Sequence, residues 1–339
     1  MQLSEFDFPF DPSLVALQPV NPRDRARLLL LDRQTDRLVH RRVADLPSLL
    51  NPMDLLIVND TKVLAARVSG IKRPTGTAVE VLFVRDLGGS RWEILAKGSF
   101  RIGQVIEFDR QSRAVIVKRD ATGTEVIVES SLSFTRFLEE RGRMPLPPYM
   151  KRPPTQEDRQ WYQTVFAKHE GAIAAPTAGL HFTEELFRRL REAAINVVTV
   201  TLHVGPGTFK PVTVERIEDH QMGGEVFHVS ECTADAITQT KRAGGRVVAV
   251  GTTVVRTLET IMKEKGEMVP MSGESRLFIT PGFQFRVVDA LMTNFHLPRT
   301  TLLMLVSAFA GIEPMRRAYE EAGKERYRFY SYGDAMLII

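Results

Sequence analysis

The chain has 339 residues, 43% hydrophobic and 25% charged, the proportions of an ordinary folded protein and far from those of a disordered chain. A lone cysteine, Cys232, excludes an intrachain disulfide and a cysteine-rich zinc site, so a reducing, cytoplasmic compartment is expected. Met1 to Phe10 contains Glu5 and Asp7 and has neither the basic lead nor the apolar run of a signal peptide; the longest apolar stretch, Leu302 to Ala310, is about half of what a bilayer requires, so no membrane association is expected.

The formal charge of +4 is unevenly spread, with Arg23, Arg25, Arg27, Arg33, Arg37, Arg41 and Arg42 set against Asp24, Asp32 and Asp36. That segment suits the steering of a polyanion, or equally a solvated strand pair of alternating charge. Runs 27–31 and 55–59 are short, apolar and bounded by polar residues, as buried strands are. From about Thr77 to Ser130 five strand-like segments follow one another: Val79 to Val84, Trp92 to Ala96, Val105 to Phe108, Ala114 to Val117 and Glu125 to Val128. Gly88-Gly89, Gly103 and Gly123 separate them and no ten-residue helical pattern intervenes, which predicts a small β-barrel or sandwich. The proline-rich Met144 to Tyr149 reads as a rigid return connection. The β unit is therefore expected to be an insertion, left and re-entered by a body that begins before Gly70.

The C-terminal portion alternates helix and strand. Thr183 can cap a helix starting at Glu184, with Leu186, Phe187, Leu190 and Ala194 as its apolar stripe. Strand Val197 to His203, helix Thr233 to Lys241, strand Arg246 to Val250 and helix Val254 to Lys265 are expected next. A helix over Thr300 to Ala310 is apolar on nearly every side and is expected to be central. This is α/β texture.

Four clusters place polar groups where a packed core does not need them. Ala174 to Phe182 is a small-residue loop carrying His181, low enough for a ligand to approach the backbone. His203-Val-Gly205-Pro-Gly207 follows a strand but lacks the third glycine and the immediate helix of a dinucleotide fingerprint. Val250-Gly251-Thr252-Thr253 runs from strand through glycine into a helix whose free amides suit a carboxylate or phosphate, with Thr253 as a possible cap. Thr293 to Thr301 crowds Asn294, His296 and Arg299 into one loop. The histidine spacings match no zinc pattern, and neither a Gly-x-Ser-x-Gly elbow nor a marked cysteine nucleophile is present.

Taken together, these residues closely resemble the S-adenosylmethionine:tRNA ribosyltransferase-isomerase family of queuosine biosynthesis. The blocks are Arg23-Asp-x-Ala-Arg-Leu28, Val58-Asn-Asp-Thr-Lys-Val63, Pro145-Leu-Pro-Pro-Tyr149, Tyr162-Gln-Thr-Val-Phe166 and Ala175-Pro-Thr-Ala-Gly-Leu-His-Phe182. They continue through His203-Val-Gly-x-Gly-Thr-Phe209, Gly251-Thr-Thr-x-x-Arg256, Phe278-Ile-x-Pro-Gly282, Thr293-Asn-Phe-His-Leu-Pro298 and the tail Tyr327 to Asp334. The order is kept along essentially the whole chain. The resemblance implies an α/β mixed-sheet body with an inserted small antiparallel β-barrel: residues 1–70 and 148–339 as the catalytic body and 71–147 as the barrel. It further implies a cytoplasmic monomer without an obligate protein partner or metal. Such an enzyme takes the ribosyl moiety of S-adenosylmethionine to 7-aminomethyl-7-deazaguanine in a tRNA anticodon.

On that basis His203 and His296 are expected to serve the proton transfers, with Asp60 and Glu225 as carboxylate partners. Gly251, Thr252, Thr253 and Arg256 are expected to receive the cofactor's methionine end, while Thr177, Gly179, His181, Gly205 and Gly207 shape its pocket. Arg23, Arg25, Arg41, Arg42, Asn294 and Arg299 are expected to serve the RNA, although Arg23 and Arg27 open the first buried strand and are also suited to holding the fold. One departure stands out: where the family has His-x-Met-His-x-Glu, this chain has His220-Gln-Met-Gly223-Gly-Glu225. A glycine has no side chain with which to move a proton. An RNA methyltransferase or a pure RNA-binding protein are the competing readings; the first lacks its usual glycine-rich loop, and the second gives no reason for the loop at Asn294.

Overall fold

The structure is a computed structural model and describes all residues except 121, 122, 206 and 208–211. The chain opens with β1 (Arg27–Asp32) and β2 (Arg37–Arg42), an antiparallel pair followed by α1 (Leu46–Leu49), β3 (Leu55–Asn59) and β4 (Thr61–Val63). The barrel follows: β5 (Arg67–Lys72), β6 (Thr77–Gly88), β7 (Arg91–Ala96), β8 (Val105–Glu107), β9 (Ser112–Asp120) and β10 (Gly123–Ser130), closed in the order β10-β7-β6-β5-β8-β9. The five strands expected from sequence are all there, and closure is supplied by a sixth, β5. Its Gly70 breaks the apolar alternation because a Cβ there would stand 2.8 Å from Ile106 and 3.0 Å from the Glu107 carbonyl oxygen. Helix α2 (Phe134–Arg141) plugs the barrel: Phe134 stacks on Trp92 with centroids 4.0 Å apart, and Phe137 is wholly buried beside Phe83 and Phe108.

After α3 (Asp158–Trp161) and β11 (His169–Ala172), which pairs with β4, the chain builds the rest of the body. Helix α4 (Glu184–Glu192), capped by Thr183 as expected, leads to β12 (Asn196–Leu202) and β13 (Glu225–Val229). Next come α5 (Glu231–Arg242), β14 (Val247–Val250), α6 (Thr252–Lys265), β15 (Met271–Ser275) and β16 (Ala290–Asn294). Helices α7 (Thr301–Ala310) and α8 (Ile312–Lys324) precede β17 (Ala335–Ile338). Nine of these strands form one mixed sheet, ordered β15-β13-β12-β3-β14-β16-β17-β1-β2.

Both faces of that sheet are covered, so β3 and β14 are buried along their whole length, which is why they read as unbroken apolar runs. Helices α6 and α7 pack on one face with Leu258, Ile261, Leu303 and Val306, and Phe182, Leu186 and Leu190 cover the other. The centre of the sheet is parallel: β12, β3, β14 and β16 run in the same direction. Their carboxyl ends therefore open on one edge, where ligands bind in open α/β sheets. β17 is antiparallel to β16, with Ala335 opposite Asn294, so the loop before β17 arrives at that same edge.

Candidate active site

Three of the polar clusters reach this edge at the ends of β12, β14 and β16, β3 adds Asn59, and the Ala174 to Phe182 cluster follows β11 outside the main sheet. Asn59 ends β3, and its Nδ2 donates to the Leu202 carbonyl (3.0 Å) and to Thr253 Oγ1 (3.2 Å), tying the ends of β3 and β12 to the start of α6. At the end of β14, Gly251 takes φ +94° and is itself the residue before α6. The helix thus starts two residues earlier than the sequence suggests. Gly251 offers no side-chain cap and none is present among the described residues, so the first amides, at Thr252 and Thr253, can meet an anion, and the helix dipole adds to their pull.

Thr252 and Thr253 line a cleft of about 630 Å³ together with Thr177, Gly251, Asn294 and His296. Tyr149, Tyr330 and Ser331 complete the wall. Sequence reasoning placed these last three in family blocks but gave them no role. His296 is held by Thr293 Oγ1 at 2.8 Å from its Nε2, and its backbone N–H donates to the Tyr319 hydroxyl. Burial lowers the His296 pKa to about 3, and burial with nearby Arg328 and Arg23 lowers that of His181 to about 4 despite Asp334. Both imidazoles are therefore neutral at cellular pH, the form in which one ring nitrogen donates a hydrogen bond and the other accepts one.

Gly205, Gly207, Glu225 and Arg256 line a second cleft of about 490 Å³, with Gly223 and Leu277; Leu302 belongs to both clefts. The Arg256 guanidinium is already engaged: it pairs with Glu225 Oε2 and donates to the carbonyls of Leu277 (3.2 Å) and Ser275 (3.3 Å). Glu225 Oε1 accepts from the Gly205 N–H at 2.8 Å. Arg256 and Glu225, expected in separate roles, are thus partners in one buried pair.

Asp60 and His203 form a third group beside the first cleft. Thr61 Oγ1 lies 2.8 Å from His203 Nδ1, Thr201 donates to Asp60 Oδ1 at 2.6 Å, and His169 Nε2 stands 3.8 Å from Asp60 Oδ2. Burial, then the neighbouring His169, lowers the His203 pKa, while Asp60 raises it. His169 carried no sequence signal; the β4–β11 pairing, with His169 opposite Thr61, brings it there.

The other expected residues lie elsewhere. Gly179 is a packing glycine, since a Cβ would stand 2.7 Å from the Phe166 ring. Arg299 pairs with Asp7 and its N–H bonds the Phe6 carbonyl, fastening the N-terminal segment. Arg23 donates to the carbonyls of Gln163 and Gln160, and Arg27 lies over the Tyr327 ring, so both hold the fold. Arg25, Arg41 and Arg42 are exposed at the β1–β2 end of the sheet. Thr208 and Phe209 of the His203 block are outside the described residues. Among the described residues, no group of three His, Cys, Asp or Glu side chains could hold a metal ion, and no helix is long and apolar enough to cross a membrane.

The family model described as "Queuosine biosynthesis protein" matches residues 3–338. The chain belongs to this family. Relatives in the queuosine biosynthesis family include the S-adenosylmethionine:tRNA ribosyltransferase-isomerases of Desulforamulus reducens (47% identical over 343 residues) and Pelobacter propionicus (49% over 343). Each match covers 100% of both chains. A crystal structure of S-adenosylmethionine tRNA ribosyltransferase from Thermotoga maritima is 37% identical, with a TM-score of 0.58 over 99% of this chain and 100% of that one.

Proposed function

We infer that this chain is an S-adenosylmethionine:tRNA ribosyltransferase-isomerase that moves the ribosyl moiety onto 7-aminomethyl-7-deazaguanine at the tRNA wobble position. The products are epoxyqueuosine in the RNA, free adenine and methionine. The observation that carries this reading at the level of the site is the cleft at the carboxyl ends of β3, β14 and β16, where the uncapped start of α6 faces a neutral, aromatic-lined cavity. The sulfonium makes methionine a good leaving group and activates the ribosyl carbons beside it.

The chain supplies position and proton handling. The amides of Thr252 and Thr253 hold the methionine carboxylate. His203, steadied by Thr61 and flanked by Asp60, takes the proton that ribosyl transfer releases. Neutral His296 orients a ligand group through its ring. Glu225 and Arg256 form the charged wall of the adjoining cleft and keep Gly205 in place. Arg25, Arg41 and Arg42 attract the RNA backbone from the exposed end of the sheet. The enzyme works as a cytoplasmic monomer.

Incubation with S-adenosylmethionine and precursor tRNA, followed by mass spectrometry, tests this reading. Adenine plus methionine is the expected result. S-adenosylhomocysteine would indicate methyl transfer, and binding without turnover would indicate an RNA-binding protein; either would overturn it.

A further inference from the structure

Asn294, the last residue of β16, is 1% exposed and lines the first cleft. Its Nδ2 donates to the Tyr330 carbonyl at 3.1 Å and stands 3.1 Å from His181 Nε2. A backbone carbonyl only accepts, so the amide nitrogen must face that side and the amide cannot be turned over. His181 Nε2 then accepts the second N–H, as a neutral imidazole can. Both donors are used. Oδ1 remains, buried and without a partner among the described residues, and so does the hydroxyl of Tyr330 in the wall of the same cleft. An unmet buried acceptor costs about 1–3 kcal/mol, a cost that a ligand donor would remove.

The cleft itself narrows the choice of donor. Among the described residues, no Asp, Glu, Lys or Arg lines it, so an ammonium finds no counter-charge among them. The ammonium is moreover tied to the carboxylate, which the start of α6 attracts. Phe295, Leu297, Leu302 and Tyr330 offer the apolar walls that suit a flat heteroaromatic ring. We propose that Asn294 Oδ1 is the acceptor that selects the exocyclic amine of the donor's adenine ring, with His181 as the positioning residue that keeps the carbonyl aimed at it. The sequence placed Asn294 among the residues serving the RNA substrate; the proposal places it at the donor's nucleoside instead. The proposal rests on the ribosyl-transfer reading and adds which edge of the donor is read.

A 6-oxo ring would set a carbonyl oxygen against Oδ1, with neither able to donate. Calorimetry on the full chain without RNA compares S-adenosylmethionine with its deaminated analogue, S-inosylmethionine. The unaltered protein is expected to bind the analogue at least about 100-fold more weakly, as sites built around one hydrogen bond do. Asn294→Ala brings the two affinities within about tenfold, His181→Leu shrinks the difference in the same direction, and His181→Gln, whose amide oxygen can accept, restores it. Equal affinities in the unaltered protein overturn the proposal. So does full discrimination in an Asn294→Ala variant shown to be folded by its thermal transition, or a rise in RNA KM with donor binding unchanged. Adenine release from precursor tRNA is measured in parallel: its absence in the unaltered protein removes the transfer reading itself, whereas turnover with equal donor affinities removes only the role of Asn294.

Discussion

Glu225 and Arg256 provide the sharpest energetic test. Each side chain is 7% exposed, and both carboxylate oxygens are engaged, one by Arg256 and one by the Gly205 N–H. Glu225→Gln conserves volume and keeps an oxygen for Gly205, but it turns an N–H₂ toward the guanidinium and leaves a buried cation without its partner. Loss of one member of a buried pair costs about 3–5 kcal/mol, a large share of a total of about 5–15 kcal/mol. Arg256→Met instead removes the ion-pair partner of Glu225 Oε2 and also deprives the Leu277 and Ser275 carbonyls of a donor. In Glu225→Gln/Arg256→Met neither member of this pair carries a charge. The double variant should therefore lose about 2–3 kcal/mol less than the sum of the single losses, near the upper end of coupling energies for residues in contact. Urea unfolding of the four proteins measures this directly. Additivity within about 0.5 kcal/mol would refute the pairing on which the architecture of the second cleft depends. Adenine release by the same four proteins separates packing from chemistry: if Glu225 acts only through Arg256 and Gly205, the double variant regains most of the kcat lost in Glu225→Gln.

Four further outcomes are expected. The folded pKa values of His181 and His296, about 4 and about 3, lie below the ordinary 6.5, so the unfolded chain binds more protons between these limits and stability falls as pH drops below 6.5; urea midpoints should show a loss of about 2 kcal/mol per histidine between pH 7 and pH 5, flattened in His181→Gln or His296→Gln. Replacing Arg41 and Arg42 with Ala should raise the RNA KM and reduce the salt slope by about one per lost phosphate contact, with donor affinity unchanged in calorimetry. Gly171 has φ +149° and a Cβ there would stand 2.8 Å from the His203 ring, so Gly171→Ala should push the imidazole off Thr61, cost about 1–3 kcal/mol and lower kcat; an unchanged kcat would remove His203 from the proton transfer. Gly223 lines the second cleft with no heavy atom of the described residues within 4 Å of a built Cβ, so Gly223→His should be tolerated and, if the family's second histidine is supportive, change adenine release by less than about tenfold; activity that appears only in that variant would move the essential base to this position.

The sequence made the body and the barrel legible where period and length agree, as in the buried runs of β1, β3 and β14 and the amphipathic α4. It failed where side-chain pattern and burial part company. Strand β5 alternates cleanly on the finished barrel, yet Gly70 and the charged ends Arg67 and Lys72 hide it, because the demand for glycine comes from Ile106 and Phe108 across the barrel. Helix α8 turns one face to the core, with Met315, Ala318, Tyr319 and Ala322 buried, but Gly311, Pro314 and Gly323 read as breakers.

At the site, sequence identified residues better than relationships. It named Asp60, His203, Glu225, Arg256, Asn294 and His296, all of which lie near the carboxyl edge of the parallel strands or in the adjoining cleft. The pairings are long-range and invisible in a linear reading: Glu225 with Arg256, Asn294 with His181, and His203 with Thr61, which β4 supplies from 142 positions away. Those pairings redistribute the chemistry. Charge is gathered at Glu225–Arg256 in one cleft, while the other has the neutral His296, a helix start that Gly251 leaves without a side-chain cap, and, among the described residues, an unmet Asn294 carbonyl and Tyr330 hydroxyl. With the purine placed in the first cleft as proposed, a zwitterionic, cationic donor is served by such a separation: the Glu225–Arg256 charges keep clear of the ring that leaves, and the groups set to meet the ring are dipoles that need no reorganisation when its charge changes.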